Sequence, residues 1–385
     1  MRKFFFAVRY FFYFLISSYF LTEVALYAAL RIGWFVPNVD GAYFDAPPAI
    51  FDEDRGFRWL NNAVRTARIM NGQIVYGPTR FPVDSRGYIW RSKFSDRRPR
   101  FAVLGDSFAD AIFVERNWLE QAAARRRAEF VSFAIDGGGI LNWRSVFFDE
   151  VLRDRRAFDG LIVAAYGNDL YRGFFAATSD RNFLYGHHYA SPEAAKRKQD
   201  DLSGCPIALV VPRLYMRWVI ALTNKKYLFG LNTAFLIYHY GAALLMEQMQ
   251  RAGGACAITD YNFKTPQFDV LGEIVEAAVK RGMMVTIATV PARGELVDYL
   301  RNGTLPHDAR EMDSFAKSHG INLFDGFAAF SSAMPKGMDP AAFVDNMWLQ
   351  FDGHWNQRGS DLFANAIGDY LDRYGPGPHI GKSNP

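Results

Sequence analysis

Four short segments of the chain hold residue types that could act together in acyl transfer. They are Gly105-Asp106-Ser107, Asp136-Gly137-Gly138-Gly139, Tyr166-Gly167-Asn168-Asp169 and Asp352-Gly353-His354. A serine hydroxyl can attack an ester, an imidazole can accept its proton, and a nearby carboxylate can fix the tautomer of that imidazole. Backbone N–H groups of a glycine-rich turn and a side-chain amide can stabilise the oxyanion that forms.

Together the segments predict a catalytic triad. Ser107 is the expected nucleophile, His354 the general base and then acid, and Asp352 the residue that orients His354. The expected oxyanion hole consists of the backbone N–H groups of Ser107 and Gly137 and the side chain of Asn168. Such a site needs no metal and no organic cofactor, so we expect neither.

Each segment taken singly has a simpler interpretation. The three glycines can form a flexible turn, and Asn168 can cap a following helix. Asp352 can likewise cap the last helix while a backbone carbonyl orients His354. His187-His188 could indicate a metal, but no Cys or carboxylate pattern surrounds this pair in the sequence.

The elements that must position these residues follow an α/β rhythm. Apolar runs predict five strands, at 100–104, 129–135, 160–166, 283–290 and 321–325. Helical periodicity predicts five helices, at 118–127, 142–155, 269–280, 307–318 and 357–374. Strands that alternate with helices indicate a parallel sheet covered on both faces, and ligands bind such sheets at the carboxyl ends of the strands.

The order and spacing of the four segments resemble the SGNH (GDSL-type) hydrolase family over about residues 100–374. The resemblance implies a three-layer, flavodoxin-like α/β fold and a serine esterase. The family's commonest last segment has two residues between Asp and His, whereas Asp352 and His354 have one, and Phe351 stands at the usual acid position. The one-residue spacing resembles the branch that acts on O-acetyl groups of exported polysaccharides.

The second segment also departs from the family pattern. Ser132 replaces a usual Asn, and Ala134 stands where Gly is common. These differences leave open whether Gly137 or Gly139 is the oxyanion donor. Upstream, residues 55–58 (RGFR) and 83–88 (VDSRGY) resemble the region that precedes this domain in membrane-anchored bacterial relatives.

The N-terminal segment, residues 1–36, is predicted to be a membrane anchor. Residues 4–34 are almost continuously apolar, and Arg2, Lys3 and Arg9 lie at the front. About twenty residues span a bilayer core, which is longer than the apolar core of a signal peptide, so the length favours an uncleaved anchor. A buried core helix is the alternative. The basic flank predicts a cytoplasmic N-terminus in a bacterial inner membrane, with the catalytic domain in the periplasm.

Glu23 lies inside this apolar segment. A carboxylate at mid-membrane costs about 2.5–3.5 kcal/mol on insertion scales. We therefore expect Glu23 to be protonated, close to an interface, or paired.

The remaining organisation is predicted from composition and turn signals. Residues 37–99 are expected to form a linker and a small β-rich region, and residues 375–385 a flexible tail.

About ninety residues, 172–263, form an insertion that interrupts the alternation of strands and helices. Leu214, Tyr215, Trp218 and Leu222 share one helical face within it. The insertion is expected to pack on the sheet, or else to be a substrate lid, a membrane-surface contact or a dimer contact. Cys205 and Cys256 could pair in an oxidising compartment.

Composition narrows the function classes. Of 385 residues, 50% are hydrophobic and 22% charged, which excludes a disordered or collagen-like chain. The net charge of +4 arises from interleaved acids and bases, so a nucleic-acid partner is not expected.

The leading hypothesis is a membrane-anchored serine esterase for ester or O-acylated carbohydrate substrates. An O-acyltransferase with the same triad and a catalytically silent binding module are the alternatives. The sequence leaves the oligomeric state open.

Overall fold

The computed structural model describes most of the chain. The described residues are 2–35, 41–44, 49–60, 64–70, 73–76, 79–80, 83–89, 99–111, 113–126, 128–155, 157–180, 183–202, 213–223, 226, 229–251, 260–350 and 352–376. Cys205, Cys256, Phe351 and residues 377–385 of the predicted tail lie outside them. Pairing of the two cysteines therefore stays a prediction.

The chain begins with one long helix and then six short strands. Helix α1 (Arg2–Arg31) contains the apolar segment predicted from the sequence. The strands are β1 (Gly41–Phe44), β2 (Ala49–Asp52), β3 (Gly56–Trp59), β4 (Val64–Met70), β5 (Gln73–Tyr76) and β6 (Thr79–Arg80). Strands β2 and β3 form one antiparallel pair, and β1, β5 and β6 each pair with β4. Strand β1 lies within the segment predicted as a linker.

The elements from residue 100 onward alternate between strand and helix. They are β7 (Arg100–Gly105), α2 (Ser107–Asp110), α3 (Trp118–Arg126), β8 (Glu129–Ser132), α4 (Ile140–Val146), β9 (Gly160–Tyr166), β10 (Phe174–Asp180), β11 (Phe183–Tyr189), α5 (Pro192–Leu202), α6 (Arg213–Thr223), α7 (Asn232–Arg251), α8 (Phe268–Lys280), β12 (Met284–Val290), α9 (Arg293–Asn302), α10 (His307–Ser318), β13 (Asn322–Phe324), α11 (Gly326–Ala333), α12 (Pro340–Met347) and α13 (Gln357–Tyr374).

Five of these strands form a parallel sheet in the order β13-β12-β9-β7-β8. Numbered by their order along the chain within this sheet, the strands run 2-1-3-4-5, which is the flavodoxin-like doubly wound arrangement. The predicted α/β fold is confirmed by this topology. The order changes direction at β7, so the crevice between β7 and β9 is the place where a ligand is expected.

Alternate side chains of the strands point into two cores, one on each face of the sheet. Ala102 and Leu104 of β7 belong to the core that α4 and α8 cover. Phe101 and Val103 belong to the opposite core, which α3, α11 and α13 cover. This alternation explains why the strands read as continuous apolar runs in the sequence, since both of their faces are buried.

Several elements differ from the sequence predictions. The helix predicted at 142–155 begins at Ile140 and passes into a π-helical turn, Phe147–Val151. The strand predicted at 129–135 ends at Ser132, although Phe133 N and Ile135 N still donate to carbonyls of β7, at 2.8 and 3.0 Å. Helices α9, α11 and α12 and the short helix α2 lie where no helix was predicted, and so do α5 and α7 within the insertion.

The insertion begins with a hairpin that packs near the centre of the fold. Strands β10 and β11 pair antiparallel, with Phe174 opposite Tyr189. The hairpin contacts α4 and the β2–β3 pair, so it lies beside the glycine-rich turn that follows β8. Helix α6 contains the predicted helical face around Trp218, and α7 contacts the N-terminal apolar helix α1.

Candidate active site

The turn after β7 presents Ser107 at the carboxyl end of the sheet. Gly105 ends the strand where it has no room for a side chain, because a Cβ there would lie 2.8 Å from the Cβ of Ala109 and 3.1 Å from the carbonyl of Ala164. Asp106 then caps the short helix α2, and its Oδ1 accepts from the Phe108 N–H at 2.9 Å. Ser107 is therefore the first residue of a turn whose backbone is held on both sides.

Three buried side chains donate hydrogen bonds to carbonyls of this turn, and the two tryptophans among them come from opposite faces of the sheet. The indole of Trp143 donates to the Gly105 carbonyl, and that of Trp118 to the Phe108 carbonyl, both at 3.0 Å. Asn117 Nδ2 donates to the Ala109 carbonyl at 2.7 Å. Trp118, Trp143 and Asn117 are fully buried. The backbone that carries Ser107 is therefore held in place before any ligand binds, so that binding costs no further ordering entropy in this turn.

Ser107, His354 and Asp352 form a continuous chain of contacts. Ser107 Oγ lies 2.7 Å from His354 Nε2, and His354 Nδ1 lies 2.5 Å from Asp352 Oδ1. Ser107 and Asp352 are buried, whereas the His354 side chain keeps about a quarter of its surface exposed, at 26%. With Nδ1–H donated to the carboxylate, Nε2 is left as the acceptor for the Ser107 proton.

The loop that carries His354 is closed by its own backbone. Leu349 N donates to the His354 carbonyl, and Asn356 N to the Met347 carbonyl, both at 2.9 Å. Asn356 caps α13 through its side-chain oxygen. The cap position that the sequence allowed for Asp352 is thus taken by Asn356, and the Asp352 carboxylate instead accepts from the N–H and Nδ1 of His354.

Aromatic rings surround the imidazole. The ring centroids of Phe113 and Phe108 lie 4.1 and 5.0 Å from that of His354. Phe108 also stacks on Tyr166, at 5.1 Å. Burial, followed by the nearby acidic side chains beginning with Glu295, raises the pKa of Tyr166 to about 12, so this phenol stays neutral at physiological pH. The phenylalanine rings thus form apolar walls beside the Ser107–His354 contact.

The predicted oxyanion donors lie around the same edge of the sheet. Gly137 has φ +76° and a Cβ there would lie 3.1 Å from the ring of Phe175, so the position favours glycine on both grounds. Gly138 N donates to the Ile135 carbonyl, and Gly139 N to Asn142 Oδ1. Among the described residues no hydrogen bond engages the N–H of Ser107 or Gly137. These bonds favour Gly137 over Gly139 as the donor.

Asn168 lies beyond the carboxyl end of β9, next to β7 in the sheet. It belongs to a 3₁₀ turn, residues 167–170, and its side chain is exposed. Its carbonyl accepts from Tyr171 N at 3.1 Å, while no hydrogen bond of its amide side chain occurs within the described part of the chain. The side chain is therefore available to a ligand at this edge.

A buried charged cluster lies directly behind Ser107, and sequence reasoning did not identify it. Arg172 Nη1 lies 2.7 Å from Asp169 Oδ1, 3.3 Å from Asp106 Oδ2 and 3.5 Å from the Gly138 carbonyl. Burial, followed by the charge of Asp106, raises the pKa of Asp169 well above its usual range. Burial alone would lower the pKa of Arg172, but the charges of Asp169 and Asp106 raise it. Arg172 thus contacts one residue in each of the turns that follow β7, β8 and β9, namely Asp106, Gly138 and Asp169.

His188 contacts the glycine turn from the other side. Its Nε2 lies 3.0 Å from the Gly137 carbonyl, and its ring packs on Phe175 at 5.1 Å. Burial lowers the pKa of His188, and the nearby Arg172 acts in the same direction. A neutral imidazole with its proton on Nε2 donates to Gly137 and holds the peptide plane of this turn. The sequence showed only a His-His pair, which did not indicate this role.

Two groups of histidines and carboxylates lie away from the contact chain of Ser107, His354 and Asp352. His187 and His188 both contact Asp260. Among the described residues, the group that could hold a metal ion consists of His307, Asp308 and Glu311, whose ligand atoms lie within 4.8 Å of one another. His307 is largely exposed, and Asp308 already accepts a hydrogen bond from the Tyr171 hydroxyl at 3.0 Å. Neither group lies in the contact chain of Ser107, His354 and Asp352.

Comparison with known proteins gave structural similarities only. No protein-family model and no curated protein matches the chain. An acetylxylan esterase from Geobacillus stearothermophilus is 12% identical with a TM-score of 0.38, covering 74% of this chain and 98% of that protein. A member of the lipolytic G-D-S-L family from Veillonella parvula is 12% identical (TM-score 0.36; coverage 71% and 98%). A GDSL-like lipase from Bacteroides thetaiotaomicron is 9% identical (TM-score 0.32; coverage 72% and 89%). The functional interpretation depends instead on the geometry at Ser107.

Proposed function

We propose that the protein is a serine esterase that acts through an acyl-Ser107 intermediate. The observation that carries this proposal is the pair of contacts made by His354, at 2.7 Å to Ser107 Oγ and 2.5 Å to Asp352 Oδ1. A hydroxyl, a base and an orienting carboxylate in this order are what acyl transfer requires.

The mechanism follows from these positions. His354 Nε2 takes the Ser107 proton while Oγ attacks the ester carbonyl carbon. The resulting oxyanion is stabilised by the N–H groups of Ser107 and Gly137 and by the Asn168 amide. His354 then returns the proton to the leaving alcohol, and the C–O bond of the ester breaks. Water attacks the acyl-Ser107 by the same steps in reverse and releases the acid.

The buried carboxylate of Asp352 supports the charge that develops on His354. Its side chain is only 5% exposed, so a positive imidazolium 2.5 Å away interacts with it through a medium that screens charge poorly. The attack step, which creates that imidazolium, is therefore favoured by Asp352.

The proposed location is the outer side of a bacterial inner membrane, held by α1. This helix is the candidate membrane span among the described residues, at 28 residues from Phe4 to Arg31. Arg2, Lys3 and Arg9 precede most of the span, and such basic residues stay on the cytoplasmic side. A periplasmic reporter fused after Pro385 should be active; activity of a cytoplasmic reporter alone would contradict this topology.

An O-acyltransferase is the second candidate. The Asp352–His354 contact occurs across one intervening residue, the spacing that resembles enzymes acting on O-acetyl groups of exported polysaccharides. A sugar hydroxyl would then replace water in the second step. O-acylated carbohydrate is accordingly the proposed substrate class for either reaction.

The test uses the purified full-length protein in detergent. A fluorophosphonate probe should label Ser107, and Ser107→Ala should abolish both labelling and turnover of aryl acetates. The matched control is Ser332→Ala, because Ser332 is an exposed serine on α11 whose side chain, within the described part of the chain, bonds the Ala328 carbonyl alone. Undiminished turnover by Ser107→Ala would remove the nucleophile assignment. Acetylated polysaccharide with and without a free glycan acceptor then separates hydrolysis from transfer.

A further inference from the structure

Glu23 of helix α1 is buried against the insertion, although it lies in the apolar segment. Its side chain accepts five hydrogen bonds from three residues of the turn that begins α7. Oε1 accepts from Gly230 N at 2.8 Å and from Asn232 N and Nδ2 at 3.1 and 2.7 Å. Oε2 accepts from Thr233 N at 2.8 Å and Thr233 Oγ1 at 2.7 Å. Of the three states expected for Glu23, the structure shows the paired one.

These bonds satisfy the first N–H groups of a twenty-residue helix. Helix α7 begins at Asn232, and its first backbone donors have no partner within the helix. A carboxylate at a helix N-terminus also interacts favourably with the helix dipole. The carboxylate of Glu23, a residue of α1, therefore caps the N-terminus of α7.

Aromatic contacts extend this junction along α1. The Tyr19 hydroxyl donates to the Gly230 carbonyl at 2.7 Å, and Phe229 packs against Phe20 and Tyr27 with ring centroids 6.0 and 5.4 Å apart. Trp218 of α6 is fully buried, and its indole donates to Asn232 Oδ1 at 2.7 Å. The junction thus joins α1, α6 and α7.

The position of Glu23 along α1 fixes its depth in a membrane. Helix α1 has 30 residues, which correspond to about 45 Å, and a bilayer core is about 30 Å thick. Glu23 lies about 31 Å from the Arg2 end and about 12 Å from the Arg31 end at the same rise per residue. Even if the core began at Arg2, it would end within about 2 Å of Glu23. A core that begins further along α1 contains Glu23 and the turn bound to it.

The surface of α7 matches this location. Ile237, Tyr240 and Leu244 lie on one side of the helix at spacings of three and four residues, and they are 67%, 42% and 60% exposed. Phe229 in the preceding turn is 50% exposed. The apolar run from Thr233 to Met246 has about 14 residues, which is too short to span a bilayer but typical of an interfacial segment. Beyond it the helix becomes polar, from Glu247 to Arg251.

From this junction we propose that the insertion is a second membrane contact, with the Phe229–Gly230 turn and the apolar part of α7, residues 233–246, inserted among the lipid acyl chains beside α1. The lipid bilayer is the occupant of the exposed stripe Ile237–Tyr240–Leu244, because α7 packs on α1, the candidate membrane span, whose own apolar side chains are exposed as well. The inference rests on the proposed membrane span and not on the esterase activity. It places the catalytic domain close to the membrane surface, since β10 and β11 of the same insertion contact the active-site turns.

The experiment places an environment-sensitive NBD label at single cysteines in the full-length chain, after Cys205→Ser and Cys256→Ser. The protein is reconstituted into vesicles of phosphatidylethanolamine and phosphatidylglycerol. Labels at Ile237 and Leu244 should be quenched by acyl-chain doxyl lipids and protected from aqueous iodide. Val279, an exposed apolar residue of α8, is the matched control that iodide alone should quench. A label at Ile16 of α1 should behave as lipid-embedded.

The outcomes separate the possibilities. If Ile16 is in lipid but Leu244 is quenched by iodide and not by doxyl lipid, the second contact is wrong while the anchor stands. If Leu244 is shielded from both quenchers, the stripe faces a second copy of the chain, and the proposal is also overturned. If Ile16 is outside lipid, both fail, whereas esterase turnover of the same samples reports on the active site independently.

The role of Glu23 is tested in the same vesicles. Glu23→Ala should expose the Leu244 label to iodide while the Ile16 label stays in lipid. Leu21→Ala is the matched control, because Leu21 is 68% exposed on the same helix and should change neither label. Thr233→Val, which removes one of the five bonds, should give a smaller shift in the same direction. An unchanged Leu244 signal in Glu23→Ala would show that Glu23 does not place α7.

Discussion

The Nη1 of Arg172 lies 3.3 Å from Oδ2 of Asp106, the residue immediately before Ser107, and the same nitrogen lies 2.7 Å from Oδ1 of Asp169. Both carboxylates are almost completely buried, at 2% and 0% side-chain exposure. One guanidinium group thus compensates two carboxylates that belong to different turns of the site. The arrangement makes Arg172 a positioning residue, because it contacts the supports of Ser107 and Asn168 and not Ser107 itself.

Arg172→Met should destabilise the protein and lower kcat together. Removing one member of a buried ionic cluster leaves an uncompensated charge, for which we expect a loss of about 3 kcal/mol in the free energy of unfolding. Chemical denaturation in detergent and turnover of an aryl acetate measure the two effects. Arg144→Met is the control, since the Arg144–Glu273 pair is about half exposed, and exposed pairs contribute about 0–1 kcal/mol.

The pH dependence of Arg172→Met separates this role from simple packing. Without the guanidinium, which lowers the pKa of Asp169, the folded state should retain the Asp169 proton more strongly, so the pKa of Asp169 lies further above that of the unfolded chain. A raised folded pKa stabilises at low pH, and this contribution is lost as pH rises through the folded value. The stability deficit relative to wild type should therefore be smaller at acidic than at neutral pH. A deficit independent of pH would indicate lost packing alone.

The sheet and the contacts among Ser107, His354 and Asp352 could be predicted from the sequence because their signals are local. Each buried strand is a short apolar run, and each functional residue follows directly after such a run or precedes α13. The carboxyl ends of parallel strands meet at one edge, so the strand order alone brings Ser107, Gly137 and Asn168 to the same side.

Arg172, His188 and the partner of Glu23 could not be predicted in this way. Asp106 is 66 residues from Arg172, and Asn232 is 209 residues from Glu23. Such contacts depend on how the insertion packs, and no short-range sequence pattern encodes that packing.

Helices α11 and α12, which were not predicted, did have a signal in the sequence. Asp325 precedes α11 and Asp339 precedes α12, and each carboxylate accepts from a backbone N–H three residues later, at 3.0 and 2.9 Å.

Asn168→Ala should lower kcat about 10²–10³-fold with little change in KM, because an oxyanion donor acts mainly in the transition state. Steady-state kinetics on an aryl acetate measure this. Thermal unfolding should be unchanged, since the Asn168 side chain is exposed and makes no hydrogen bond within the described residues. A rise in KM with kcat preserved would assign Asn168 to ground-state binding instead.

His188 should make the stability of the protein depend on pH. Burial lowers its pKa below the usual value of 6.5, so the unfolded chain binds a proton more readily than the folded one. The free energy of unfolding should therefore fall as pH decreases below about 6.5. In His188→Gln this part of the pH dependence should disappear, while the amide can still donate to the Gly137 carbonyl. Denaturation curves on either side of that pH provide the measurement, and identical pH profiles for wild type and variant would contradict the assignment.

His188→Phe tests the hydrogen bond to Gly137 separately from the charge. Phenylalanine retains the packing on Phe175 but has no donor for the Gly137 carbonyl, which lies 3.0 Å from His188 Nε2. If that bond orients the oxyanion donor, kcat should fall for His188→Phe and stay close to wild type for His188→Gln. Equal kcat values for the two variants would mean that the turn keeps its position without this bond.

Asp352→Asn is the most direct test of the triad. Asparagine fills the same volume, but its amide cannot stabilise the imidazolium and can present the wrong tautomer of His354 to Ser107. By analogy with carboxylate loss in other triads, kcat should fall about 10³–10⁴-fold. The fold should be retained, because Asn356 and not Asp352 caps α13. Asp339→Asn, a change at the cap of α12 where asparagine serves equally well, should leave turnover unchanged. If folded Asp352→Asn lost less than about tenfold in rate, a Ser107–His354 dyad would describe the site, and the 2.5 Å contact with Asp352 would have no catalytic role.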